Sequence, residues 1–383
     1  MTLRLLICTL LFMLITLAAS GDEALQSCSE RATTIDTPSV DVRRFCLERI
    51  ITDDAAGEMA FTTIAIAPDG KLYATRPLTG EIIVVEDSDG DGLPDQSRLL
   101  LDGLTLPNAL AFHAGALYIV GGRNLYRWLD GDLNILIDDL PYVGGIWTGG
   151  LTVGPDEMLY IGIGASCDFC VPEPDTGTIL RVSPDGRERS VIARGLRQPA
   201  ALAWHDDTLW LGDSVSSQFR GGQLDELNQL VDTDAYFGWP HCIGPDNEPT
   251  TIAGDFDCAE AQSAALKLPS RSTPVALAAY TNDTFPDLTG KLLLLSAGST
   301  NQSPLEGYTL SAIPLDAKSN PTGIEQLIPV GEDGRANRIS NRALQYQGEG
   351  FWPHHPYGLA ISAEGWIYIS SGGGNIYVLR PID

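Results

Sequence analysis

The sequence is short of helix. After the first twenty residues no apolar stripe keeps the 3.6-residue period for as long as a packed helix needs, which excludes helical bundles and doubly wound α/β folds. Basic residues are scarce too: 24 Lys and Arg stand against 50 Asp and Glu, a formal net charge of −26. Such a surface repels phosphate backbones and anionic lipid, so nucleic acid and charged membrane surfaces are excluded as partners. There is no Gly-x-Ser-x-Gly elbow, no P-loop, no His-Glu-x-x-His and no Gly-x-Gly-x-x-Gly opening a helix. Long apolar runs are lacking except at the start, so no membrane span is expected.

That one run, Leu5 to Leu17, follows Arg4 and precedes Ala18-Ala19-Ser20. It is too short to span a bilayer and has the three regions of a cleaved export signal, so residues 1–20 are read as a signal peptide. A periplasmic or secreted location is expected. Seven cysteines are present; Cys8 leaves with the signal, and an even six remain for an oxidising compartment. Sequence neighbours suggest disulfides Cys28–Cys46, Cys167–Cys170 and Cys242–Cys258. Cys167-Asp168-Phe169-Cys170 can also be read as half a zinc site or a redox pair, although no second pair completes a zinc tetrad.

What the chain does have is repetition. A short apolar strand, a tight turn and a second strand bearing an aromatic recur six times, at 61–75, 108–120, 149–162, 200–212, 275–296 and 357–370. One small sheet cannot cover both of its faces, but six around a ring cover one another. The expectation is an all-β, six-bladed β-propeller over residues 58–383, with 21–57 an N-terminal extension stapled by disulfide. Residues 28–54 either complete the last blade or cap a face. Longer insertions are placed at 214–271 and 297–354. In a propeller the inner strands line a central channel and the loops entering them share one mouth. Asn108, Ile146–Thr148, Arg197–Gln198, Arg271–Thr273 and His354–His355 all precede or open inner strands.

Between the outer strands of the first blade runs Asp87-Ser88-Asp89-Gly90-Asp91-Gly92-Leu93-Pro94-Asp95. Alternating Asp87, Asp89 and Asp91, a carbonyl from Leu93 and Asp95 acting directly or through water suit a structural Ca²⁺. The closing acid of an EF-hand is absent, because Arg98 stands there; a solvated acidic hairpin is the other reading.

Several stretches resemble one family. GGLTVGPDEMLYIGIGASCDFC (149–170), ARGLRQPAALAWHDDTLWLGD (193–213), LDELNQLVDTDAYFGWPHCIG (224–244) and HHPYGLAISAEGWIYISSGGGNIYVLR (354–380) are similar to the soluble PQQ-dependent glucose/sorbosone dehydrogenases. The resemblance implies an exported quinoprotein that oxidises a sugar or a related alcohol or aldehyde. Its cofactors would be pyrroloquinoline quinone (PQQ), a flat tricarboxylate, and Ca²⁺ at the channel mouth; its electron acceptor is unspecified. By position, Arg197, Gln198, Arg76, Arg271 and Trp147 would contact PQQ, and Asp213, Asp225 and Glu226 would lie near the active-site Ca²⁺. The family's general base, a His before the third inner strand, is here Ile146, and His355 is the substitute base. The alternatives are a catalytically degenerate propeller that binds a ligand or protein at its mouth, and a calcium-assisted lactonase-type propeller. Asp225-Glu226 can also be read as the cap of a short helix.

Overall fold

The computed structural model describes residues 27–36, 38–52, 61–141, 149–214, 225–243, 248–252, 254, 256–299, 306–330 and 351–382. It is a ring of six small antiparallel sheets. The first blade runs Ile64–Ile66, Leu72–Arg76, Glu81–Glu86 and Gln96–Leu101; the second Pro107–His113, Ala116–Gly121, Asn124–Leu129 and Asp132–Ile137. The third comprises Leu151–Val153, Leu159–Ile163, Thr178–Val182 and Arg189–Arg194, and Ala235–Tyr236 joins its outer edge in parallel. The fourth has Ala201–His205, Thr208–Asp213, Asp225–Leu230 and Leu266–Leu268; the fifth Pro274–Tyr280, Lys291–Ser296, Thr309–Ile313 and Glu325–Ile328. The six hairpins expected from the sequence are the inner halves of these six blades. Among the described residues there is no α-helix, and none that could cross a membrane.

The sixth blade is built from both ends of the chain. Pro356–Ile361, Ile367–Ser371 and Asn375–Arg380 supply three strands, and Cys46–Thr52 pairs antiparallel with Asn375–Arg380 as the fourth. Residues 46–52 therefore complete the last blade, the first of the two roles open to them. Arg380 grips Glu48 through Nε (2.5 Å) and Nη2 (2.9 Å), while Arg31 Nη1 (3.3 Å) and Thr33 Oγ1 (2.7 Å) donate to the same carboxylate. The Arg380 guanidinium also lies over the Trp366 ring, 4.7 Å from its centroid. Cys28–Cys46 ties the N-terminal turn to this strand.

Six core clusters each lie between two adjacent blades, and a smaller one gathers Ala165, Trp239 and Ile243. Leu110, Leu117, Ile82 and Val84 join blades one and two; Leu209 and Leu211 pack on Ile179 and Tyr160 between three and four; Tyr368 and Val378 meet Leu72 and Val85 where the ring closes. Alternation within a strand sends successive side chains to the two neighbouring blades, so second strands such as Ala116–Gly121 and Leu159–Ile163 are buried throughout, while the outer strands Gln96–Leu101 and Asp132–Ile137 stay largely exposed. The close fit reaches the backbone. A Cβ on Gly162 would collide with the carbonyl oxygen of Pro199, so this inner strand must be bare where the loop entering the fourth blade crosses it.

Two readings change. Asp225–Leu230 is a strand, not a capped helix, because Leu227 is packed between blades four and five and the segment pairs with Leu266–Leu268. The insertions at 214–271 and 297–354 contain the outer strands of their own blades as well as loop.

Candidate functional site

The loops entering the six inner strands converge on a cavity of about 360 Å³. Thr62, Thr63, Asn108, Gln198, Thr273, His355 and Tyr357 supply its polar groups; aliphatic and glycine residues supply the rest. Among the described residues that line it there is neither a carboxylate nor a Lys or Arg. The lining is thus neutral, unlike the surface. Thr63 Oγ1 donates to the Asn108 carbonyl, which ties two neighbouring mouth loops together.

His355 sits at this mouth, immediately before the sixth inner strand. Its Nδ1 lies 2.8 Å from the carbonyl oxygen of Ala297. A carbonyl only accepts, so Nδ1 carries the hydrogen and the lone pair of the neutral ring is on Nε2. Tyr308 stacks on the imidazole (centroids 4.8 Å apart, planes at 22°) and brings its hydroxyl to 3.5 Å from Nε2. Two glycines leave room for that ring. A Cβ on Gly298 would strike Tyr308, and one on Gly307 would strike Gly298, so neither position tolerates a side chain as the loops stand.

The acidic positions brace the mouth. Asp213 is buried and accepts the backbone N–H of Arg197 (2.9 Å) and of Gln198 (2.5 Å). Asp225, fully buried, accepts the Thr273 N–H (2.7 Å) and the Ser272 hydroxyl (3.1 Å). Each therefore pins a loop whose tip, Gln198 or Thr273, lines the cavity. Glu226 faces Asp213 across the sheet and accepts from the Asn228 amide at 3.1 Å. Burial, with the negative charges of Asp213 and Asp225, pushes Glu226 up to about 8. Burial also raises Asp213, against the backbone N–H groups and Arg197 that oppose it.

The basic positions are spread apart. Arg197 is buried, with Nε (2.9 Å) and Nη2 (2.6 Å) donating to Asp168 and Nη1 donating to the Ser214 carbonyl (3.1 Å). Arg76 faces Glu81 at 3.4 Å and lies over the Phe61 ring. Arg271 is in a left-handed turn (φ 58°) two residues before Thr273 and is not part of the lining. Trp147 and Ile146 lie outside the described residues. Asp168, Tyr308 and Asn228 were missed by sequence reasoning. Asp168 had a signal, being the acid inside the Cys167–Cys170 loop; Tyr308 and Asn228 had none beyond Gly-Tyr and Asp-Glu-Leu-Asn.

In the Asp87–Asp95 turn, Asp87, Asp89 and Asp91 bring ligand oxygens within 4.8 Å of one another, the one such group among the described residues. Asp95 instead holds Ser88 by its N–H (2.9 Å) and hydroxyl (2.8 Å), bonds that keep its carboxyl below the usual range. Leu93 is buried where the first and sixth blades meet. The three expected cysteine pairs are joined in the structure.

Residues 132–311 match the family model described as glucose/sorbosone dehydrogenase. Over those residues, somewhat less than half of the chain, the sequence is similar to that family. Among solved structures it resembles the holo form of the pyranose dehydrogenase PQQ domain from Coprinopsis cinerea, with TM-score 0.69, 15% identity, and 88% of this chain and 95% of that one covered. A second likeness is to the PQQ-bound aldose sugar dehydrogenase of Streptomyces coelicolor, with TM-score 0.57, 17% identity, and 88% and 98% covered. A third is to the calcium structure of a family AA12 carbohydrate-active enzyme from Trichoderma reesei, with TM-score 0.70, 14% identity, and 88% and 95% covered. At these identities the likeness concerns the fold. An uncharacterised protein of Borreliella burgdorferi is 22% identical over 173 residues; the match spans 43% of this chain and 45% of that curated relative.

Proposed function

We propose that this quinoprotein-like propeller is an exported sugar dehydrogenase homologue that takes a sugar, or a related alcohol or aldehyde, at the channel mouth. The observation that carries this reading is His355: a ring at the mouth whose Nδ1–H is committed to a carbonyl, so that its lone pair is on Nε2, 3.5 Å from the Tyr308 hydroxyl. Oxidising an alcohol requires a base for the hydroxyl proton and an acceptor for the hydride. His355 provides for the first. Gln198, Asn108 and Thr273 provide neutral donors and acceptors of the kind that pair with hydroxyl groups.

PQQ is the hydride acceptor that the family resemblance implies. It carries three carboxylates, and the described lining supplies no cation to meet them; the adjacent Arg197 is already matched to Asp168. The described residues do not fit a tricarboxylate as they stand. We read the Asp87–Asp91 turn as a holder of structural Ca²⁺, because three exposed carboxylates in so small a space repel one another without a cation. Export is supported by the Leu5–Leu17 segment and by the three disulfides.

The second reading, a propeller that binds its ligand without turning it over, is favoured by Ile146, which cannot take a proton, and by the compensated Arg197. One assay separates the two. The protein is supplied with Ca²⁺ and, in separate runs, with PQQ or with an artificial two-electron acceptor alone, and dye reduction is followed with a panel of aldoses. Turnover that falls by about 10²-fold or more in His355→Ala supports the dehydrogenase reading. Aldose binding with no turnover in the wild type rejects it in favour of the binding protein.

A further inference from the structure

Asp168 sits inside the four-residue loop closed by Cys167–Cys170, next to one of the bridged cysteines and two residues from the other. Its Oδ1 accepts from both Nε and Nη2 of Arg197, and the third guanidinium nitrogen, Nη1, is bonded to the Ser214 carbonyl. The arginine backbone is held as well: its N–H by Asp213 and its carbonyl by the Ala165 N–H at 2.8 Å. The side chains are only 11% and 24% exposed, so the pair is poorly screened. The next residue, Gln198, lines the cavity.

We propose that Asp168 is the specificity-determining residue of the channel mouth: by occupying the Arg197 fork it keeps the mouth neutral and selects an uncharged ligand over an anionic one. The inference rests on the reading that the mouth is the ligand site. An arginine fork matched to one carboxylate does not serve a second with the same geometry. An incoming anion would also meet the negative charge of Asp168, which the short disulfide loop holds in place. Discrimination of this kind comes from a built-in repulsive element as much as from attraction. The absence of the Arg197 charge from the lining then has a local cause, and a single substitution tests it.

Asp168→Asn keeps the shape and removes the charge; Asp168→Ala removes both, and cooperative unfolding of each variant shows that it is folded. Calorimetric titration with PQQ, without Ca²⁺ and at low ionic strength, is the test. The expected result is affinity for PQQ about tenfold or more above wild type in Asp168→Asn. The gain should disappear when Arg197→Met is added. Affinity in Asp168→Asn no higher than in wild type would overturn the proposal, as would a gain that persists without Arg197. A panel of aldoses titrated into the same proteins is scored separately. Failure of every sugar to bind counts against the mouth as a sugar site and leaves the result with PQQ readable.

Discussion

Glu48→Ala is expected to destabilise the ring by roughly 3–5 kcal/mol, the usual result of removing one partner from a buried ion pair. Glu48 has no exposure, and its carboxylate is the shared acceptor for Arg380, Arg31 and Thr33. Removing it leaves two buried guanidinium groups without their carboxylate. The location makes the effect larger than local, because Glu48 stands on the strand that joins the N-terminal segment to Asn375–Arg380. The blade-to-blade core at that point, with Ile51, Ile376 and Val378, depends on this strand staying in place. Denaturant unfolding of Glu48→Ala against wild type measures it. A midpoint equal to that of wild type would mean that the closure is held by backbone pairing and packing alone.

Glu226→Gln is expected to stabilise the protein, and the gain should grow with pH. The unfolded Glu226 ionises near 4.5, while the folded one keeps its proton up to about 8. Between those values the folded chain binds a proton that the unfolded chain has released, so stability from this group falls as pH rises through the window. Below about 4.5 both states are protonated and the glutamate costs nothing. At pH 7 the cost is roughly 3 kcal/mol, from 1.36 kcal/mol per pH unit between the two states. Burial raises Asp213 as well, a contribution of the same sign. Gln keeps the Glu226 shape and can still accept from Asn228. Unfolding curves of both proteins between pH 4.5 and 8 should therefore diverge with pH. Parallel curves would contradict a Glu226 that keeps its proton in the folded chain.

The scaffold was legible because its signals are local. Period-two alternation around turns such as Asp69-Gly70, with Gly70 at φ 85°, lies within a dozen residues, and six copies left little choice of architecture. Closure was not local. Cys46 is partnered with Arg380 across most of the chain, and nothing near residue 46 names that partner. The mouth was legible by position, since residues preceding inner strands must gather there; Gln198 and His355 were found this way. Side-chain partners were not legible. Arg197 reads as a cation until Asp168, 29 residues earlier, is seen to occupy its fork. Asp213 and Asp225 likewise read as metal-directed acids, whereas in the structure their oxygens receive the N–H groups of the loops they brace.

The central claim is that ligand enters at the channel mouth beside His355. The five histidines provide a direct measurement, because the other four have different surroundings. His113 pairs with Tyr118, His205 lies beside Asp206, His241 is bonded to the Ile252 carbonyl, and the His354 ring packs over Gly373. Imidazole resonances, assigned by single substitutions, can be followed as an aldose panel is titrated into the protein. The account predicts that for at least one sugar the His355 resonances shift saturably while those of His113 and His205 stay where they are. Saturable shifts at His113 or His205 with His355 unmoved, or no His355 shift across the whole panel, would contradict it.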